Sequence, residues 1–271
     1  MWPTPAQDAQ PAEFARSLFD LSGRVAVVTG AAGGLGSAFA AALADAGATV
    51  VCADRDGESA ERIADELRAI GRHAVSVEVD VTSSVATSYM AESTLARFGR
   101  IDVLVNNAGI GDIRAVPVHR VKTEHWRQVL SVDLDGVFLC SRAVLGHMSA
   151  QQSGKIVNVA SMYGLRGSRS TPMAAYASAK GAVVNFTREC ALQYAADNVQ
   201  INALCPGFVR TGLANGVYDD PAFVAQLESQ VPMGRIAQPI ELCGALLLLA
   251  SSASDYMTGQ SVVVDGGICA G

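Results

Sequence analysis

Short apolar runs alternate along the chain with longer stretches of helical period. The runs at 25–28, 49–52, 75–79, 101–105, 156–159, 199–204 and 262–264 are brief and rich in β-branched residues. Such runs predict strands buried on both faces of a parallel sheet. Amphipathic segments separate them. In the clearest, 59–70, Ile63, Leu67 and Ile70 share one face while Glu61, Asp65, Glu66 and Arg68 take the other. Strand and helix alternating throughout imply an α/β fold, a doubly wound seven-stranded parallel sheet with helices on both faces. No linker or solenoid-length repeat divides it. The expectation is one domain over 21–271, with a lid at about 208–235, behind a loose arm at 1–20.

Composition removes several classes of function. With 271 residues and 50% apolar content, the chain can bury a large core and is too hydrophobic for disorder. Its greasiest run, 245–250, falls far short of the roughly 20 residues that span a bilayer. A net charge of −6 gives no basic face for nucleic acid. Neither a membrane nor a nucleic acid is therefore expected as a partner. Six cysteines, at 52, 140, 190, 205, 243 and 269, show no CxxC and read mainly as small reduced hydrophobes. His73, His119, His125 and His147 lack metal-ligand spacing, so no metal is expected. The first ten residues lack the basic start and apolar core of a signal peptide, which makes the cytoplasm the expected setting.

Candidate chemistry begins where the first strand meets a helix, at Thr29-Gly30-Ala31-Ala32-Gly33-Gly34-Leu35-Gly36. A glycine-rich strand-to-helix turn lets backbone approach a pyrophosphate, which then sits on the positive end of the helix. Asp54 ends the second strand, 18 residues beyond Gly36. A carboxylate there accepts hydrogen bonds from an adenosine ribose and repels a 2′-phosphate, which favours NAD over NADP. Arg55 is the opposing feature, since a guanidinium can turn toward a phosphate.

Further motifs follow in order: Asp80-Val81, Asn106-Asn107-Ala108-Gly109, Tyr176-Ala177-Ser178-Ala179-Lys180, Pro206-Gly207 and Pro232-Met233-Gly234-Arg235. Together they make the chain, from about residue 21 to 267, resemble the short-chain dehydrogenase/reductase family in its single-domain Rossmann-fold branch. That resemblance implies a cofactor lining of Gly30, Gly34, Leu35, Gly36, Asp54, Arg55, Asp80, Val81, Asn107, Ala108, Gly109, Tyr176, Lys180, Pro206, Gly207, Val209 and Thr211. It also implies that the Asn106 side chain is buried between strands.

The catalytic set implied by the resemblance is Ser161, Tyr176, Lys180 and Asp133. Tyr176 and Lys180 lie four apart on a predicted helix and so share a face. A phenol ionises near pH 10, and a neighbouring ammonium brings it toward working range as acid or base. Relatives use this lysine on the nicotinamide ribose and the serine to hold the substrate oxygen. Ser161 can alternatively serve only a backbone ST-turn. It stands 15 residues before Tyr176, two more than in many relatives. Asp133 departs from the family's usual asparagine, and an anion beside Lys180 can alter the tyrosine's ionisation.

The implied reaction interconverts a secondary alcohol and a ketone by hydride transfer, with NAD as the favoured cofactor. Ser161, Tyr163, Tyr176 and Phe208 are the expected substrate contacts. Leu213, Val217, Tyr218, Phe223, Val224 and Leu227 give the lid an apolar face, which suits a cyclic, aromatic or medium-sized apolar alcohol. Arg166, Arg169 and Arg210 leave room for a sugar acid. A polyol dehydrogenase, an NADPH-dependent 3-oxoacyl thioester reductase and a non-catalytic dinucleotide sensor are the alternatives. By resemblance the chain is a homotetramer, pairing helices at 125–148 and 174–195 and a second surface near 241–250 and 260–264.

Overall fold

The computed structural model describes residues 11–111, 116–168, 171–211 and 220–271. Its strands are β1 (Val25–Thr29), β2 (Thr49–Asp54), β3 (Ala74–Glu78), β4 (Val103–Asn106), β5 (Gly154–Val159), β6 (Val199–Pro206) and β7 (Ser261–Val264). They form one sheet in the order β3-β2-β1-β4-β5-β6-β7, with every neighbouring pair parallel. The chain runs outward from β1 to one edge, then returns to β4 and runs to the other. That reversal opens a crevice at the carboxyl ends of β1 and β4.

Side chains alternate across each strand, so each central strand feeds two cores. Ala26 and Val28 of β1 pack with Phe39, Leu43, Ile63 and Leu246. These belong to α2 (Gly34–Asp45), α3 (Gly57–Ala69) and α9 (Ile240–Ala250). Val25 and Val27 face the opposite way, toward Met90, Val144, Met148 and Cys190. Those come from α4 (Ser84–Phe98), α6 (Gly136–Gln151) and α7 (Ala174–Tyr194). The helix expected at 59–70 starts two residues earlier because the Asp56 carboxylate caps it, accepting the Ser59 N–H at 3.0 Å.

Two expectations change. Within the stretch read as a loose arm, Pro11–Leu18 is a helix, α1. Its described side chains are mostly exposed, and Ser252 Oγ donates to the Leu18 carbonyl at 3.0 Å, a contact from this segment to the domain. The helix expected at 125–148 is two helices, α5 (Thr123–Leu130) and α6, joined by a π turn at Ser131–Asp135. The wider turn is pinned by Asp133, whose Oδ1 accepts the Ile110 N–H at 2.7 Å.

A buried polar chain crosses the middle of the sheet. Asn106 Nδ2 donates to Asn158 Oδ1 at 2.8 Å and to Ser141 Oγ at 2.9 Å. Asn158 Nδ2 donates to Thr187 Oγ1 at 2.9 Å. Strands β4 and β5 are thereby linked to α6 and α7. Side chains at the opposite end of the sheet are held by charge. The Asp102 carboxylate, 3% exposed, receives Arg100 Nε at 2.7 Å, the Val25 N–H at 2.8 Å and Arg24 Nη1 at 3.0 Å. Burial alone raises this carboxyl, but those donors outweigh it and hold it below the usual carboxylate range.

A depressed carboxylate contributes stability that is present above its unfolded pKa, near 4, and is lost as pH falls through the lower folded value. Asp102→Asn is therefore expected to cost about 2 kcal/mol at neutral pH. Its penalty should shrink in acid, where the wild type loses the same contribution. Urea titrations of both proteins between pH 3 and 7 measure this.

Candidate active site

The crevice is a cleft of about 850 Å³ whose walls come from the carboxyl ends of β1, β2, β4, β5 and β6 and from α7 and α8 (Pro221–Glu228). Gly30, Gly34, Leu35, Asp54, Arg55, Asp80, Val81, Asn107, Ala108, Gly109, Pro206, Gly207, Val209 and Thr211 all line it, as do Ser161, Tyr163, Tyr176, Lys180 and Phe208. Two expected site residues do not. Gly36 lies beneath the turn, where an added Cβ would stand 2.0 Å from the Gly30 carbonyl oxygen and 2.7 Å from Asn107 Nδ2. It permits the turn to close on the helix, and contact with a ligand falls to its neighbours. Asp133 lies behind Lys180, out of reach of the cleft surface.

The glycine turn is braced from inside the sheet. Thr29 Oγ1 accepts the N–H groups of Asn107 and Ala108, each at 3.1 Å. Asn107 Nδ2 donates to the carbonyls of Thr29 at 3.0 Å and Gly30 at 3.1 Å. Sequence reading missed Thr29; its signal was a hydroxyl on the last strand residue before the glycines. No side chain caps the start of α2; the Gly36 N–H turns back to the Gly33 carbonyl at 3.1 Å, and the N–H groups ahead of it face an acceptor in the cleft. At the far end Asp54 Oδ2 accepts the Ala32 N–H at 3.0 Å and Oδ1 the Asp56 N–H at 3.1 Å. Asp80 lies two residues beyond β3 with its carboxyl held low, first by hydrogen bonds from the Thr82 hydroxyl and N–H and then by the charge of Arg55. An uncapped helix start, a glycine cradle and an acid one strand away fit a dinucleotide.

The other wall carries the remaining predicted residues. Ser161 lies two residues beyond β5, is buried, and accepts the Tyr163 N–H on Oγ at 3.1 Å. The ST-turn is present, and it leaves the hydroxyl proton to donate. Tyr176 lies in the first turn of α7 with Lys180 one turn on, and Lys180 Nζ stands 5.6 Å from the centre of the phenol ring. Lys180 is 4% exposed and donates to the Val159 carbonyl at 3.0 Å. Gly164 makes this approach possible, since a Cβ there would meet the Lys180 carbonyl oxygen at 2.6 Å. The 3-10 turn Met162–Gly164 can then lie flat on α7, bringing Ser161 and Tyr176 to one wall.

Ile110, Met162, Thr171, Met173, Phe223 and Leu227 also line the cleft. Phe208 and Tyr163 meet edge to face, their ring centres 6.3 Å apart. Burial raises the Tyr163 phenol despite Ser168 and Arg166 nearby. Of the cations weighed for an anionic substrate, the two described ones do not border the cleft. Arg166 Nη1 donates to the Ile268 carbonyl at 2.6 Å, and neither Arg166 nor Arg210 lines the cleft. Val224 does not line it either, while Leu213, Val217, Tyr218 and Arg169 lie outside the described residues. All six cysteines are unpaired thiols, five of them buried. Among the described residues no cluster of ligands could hold a metal, and no helix is long and apolar enough to cross a membrane.

Comparison with known proteins places this fold in a family. A family model described as enoyl-(acyl carrier protein) reductase matches residues 30–269. The chain is 43% identical to cis-4-hydroxycyclohexanecarboxylate dehydrogenase of Sinomonas cyclohexanicum over 91% of its length and 97% of that protein's. A short-chain type dehydrogenase/reductase from Mycobacterium marinum superposes with a TM-score of 0.89 at 36% identity, over 93% of this chain and 98% of that one. A gluconate 5-dehydrogenase from Burkholderia cenocepacia J2315, solved in complex with NADP and tartrate, gives 0.89 at 39% identity over 95% and 99%. The chain belongs to the short-chain dehydrogenase/reductase family of oxidoreductases.

Two glycine substitutions separate cradle from scaffold. Gly36→Ala is expected to abolish dinucleotide binding, because the Cβ must displace the Gly30 carbonyl. Gly33→Ala, with nothing within 4 Å of the added carbon and an extended backbone, should leave affinity within about threefold. Quenching of protein fluorescence by added dinucleotide reads both.

Proposed function

We propose that this chain is an NAD-dependent dehydrogenase of secondary alcohols, and that the substrate is a cyclic, aromatic or medium-sized apolar alcohol. The observation that carries the reading is the placement of Ser161, Tyr176 and Lys180 on one wall of a cleft whose other end is a glycine cradle. Bound there, the nicotinamide supplies the hydride acceptor. Tyr176 takes the hydroxyl proton of the alcohol, and Lys180 favours the phenolate that does so. The Ser161 hydroxyl holds the substrate oxygen as it becomes a carbonyl. Cofactor contacts fall to the first turn of α2, to Asp54 on the adenosine ribose and to the backbone around Asn107.

Asp54 and the absence of a cation in the glycine turn favour NAD. Arg55, exposed on the cleft rim, supports a second reading in which NADP is used, as in the complex of the gluconate 5-dehydrogenase. The substrate assignment rests on Ile110, Met162, Met173, Phe208, Phe223 and Leu227 around the catalytic wall. A ring alcohol is also what the Sinomonas dehydrogenase is named for. The gluconate relatives favour a sugar acid, but the described lining offers such a substrate no arginine apart from Arg55 at the adenosine end.

Formation of NADH or NADPH from a panel of secondary alcohols tests the reading. Turnover with NAD should exceed that with NADP, and Tyr176→Phe should lose at least about 10²-fold in kcat. Asp54→Ala should move the cofactor preference about tenfold or more toward NADP. Preference for NADP in the wild type would overturn the NAD assignment, and turnover surviving in Tyr176→Phe would overturn the acid/base assignment.

A homotetramer is proposed as the working assembly. Phe138 on α6, Leu192 on α7 and Val263 on the edge strand β7 are large apolar side chains left exposed on the faces such an assembly would cover. Sedimentation velocity at micromolar concentration should give four chains, and a monomer would defeat the proposal.

A further inference from the structure

Behind the phenol lie two buried ionisable groups. Asp133 on the π turn is fully buried and Lys180 nearly so, with Oδ2 and Nζ 3.9 Å apart. Each is fixed from a different strand. Asp133 Oδ1 accepts the Ile110 N–H beyond β4, and Lys180 Nζ donates to the Val159 carbonyl of β5. Gly109 walls them in, since a Cβ there would lie 3.1 Å from Asp133 Oδ1 and 3.5 Å from Lys180 Nζ. Asp133 is shut off from water, and Lys180 reaches only the cleft it lines.

We infer that Asp133 is a positioning residue that offsets the charge of Lys180, so that Tyr176 keeps its proton to a higher pH than an unopposed lysine would allow. The inference rests on the dehydrogenase reading above. An ammonium lowers the ionisation of a nearby phenol, and a carboxylate acts on the same phenol with opposite sign. Away from water both charges are weakly screened.

Other elements packed on α7 bring little competing charge. Cys205 on β6 is pushed up to about 11 by burial, and the Tyr163 phenol is raised in the same way. On α5, Glu124 and Arg127 are exposed and His125 is half-buried. Asp197 lies past the far end of α7, accepting from Ser149. Among the described residues Asp133 is the acid within ion-pair distance of Lys180.

Asp133→Asn keeps an oxygen for Ile110 and removes the charge. Ultraviolet difference titration of phenolate absorbance, each protein against its Tyr176→Phe counterpart, reads Tyr176 without any substrate. Ionisation in the Asn variant should move about one pH unit toward acid. The acidic limb of kcat/KM for alcohol oxidation, where activity rises as the base loses its proton, should follow it. An ionisation unmoved within about 0.2 unit overturns the inference, even if activity falls, because a purely structural role predicts that pattern. If the Asn variant does not fold, Asp133→Ser asks the same question. A shift of Tyr176 in a wild type that oxidises no alcohol would sustain the electrostatics and sink the dehydrogenase reading, so the two fail separately.

Discussion

The hydrogen bond from Asn106 to Asn158 across β4 and β5 fixes the relation between the sheet and the helices that carry the site. Each amide continues outward, Asn106 to Ser141 on α6 and Asn158 to Thr187 on α7. Buried polar groups of this kind have partners only in one packing, so they select an arrangement that apolar contacts alone would leave free to slide. Ser161 lies three residues beyond Asn158, and Lys180 lies about two helical turns before Thr187. The wall holding the serine, tyrosine and lysine is thus referenced to one internal frame. The apolar cores on either face supply the bulk of the stability and little of this precision.

Much of the architecture was readable in the chain because parallel strands buried on both faces have a distinctive signature. Seven short β-branched runs correspond to seven strands, with shifts at their ends that follow local hydrogen bonding. The Asp56 cap, for example, starts α3 early. The π turn was not readable, because Ser131–Asp135 keeps the apolar rhythm of a continuous helix. Only the demand of the Ile110 N–H for an acceptor, a contact between segments 23 residues apart, reveals it. The same holds for α1, whose short stretch carries no pattern strong enough to outweigh its position near a terminus.

The site was legible as a set of motifs and less so as a division of labour. Gly36 belongs to the glycine pattern yet serves the fold of the turn, whereas Thr29, which opens that pattern and was given no role, braces two backbone groups. Gly164 belongs to none of the motifs, although its missing side chain is what lets the turn after Ser161 lie on α7. Arg166 appeared available to a substrate, but the C-terminal segment claims it through the Ile268 carbonyl. In each case the deciding contact joins residues distant in sequence, which composition and spacing do not record.

Asp54 faces the cleft while one of its oxygens fastens the Ala32 N–H and the other the Asp56 N–H. A residue at the adenosine end of the site is therefore also a rivet in the phosphate-facing turn. Over evolutionary time this makes the two properties inherit together: a lineage cannot remove the charge here without also loosening the cradle. Drift toward a phosphorylated dinucleotide would have to pass through a weakened intermediate, or gain a compensating brace near Ala32 beforehand. The order in which substitutions can accumulate is thus constrained by two hydrogen bonds on one carboxylate.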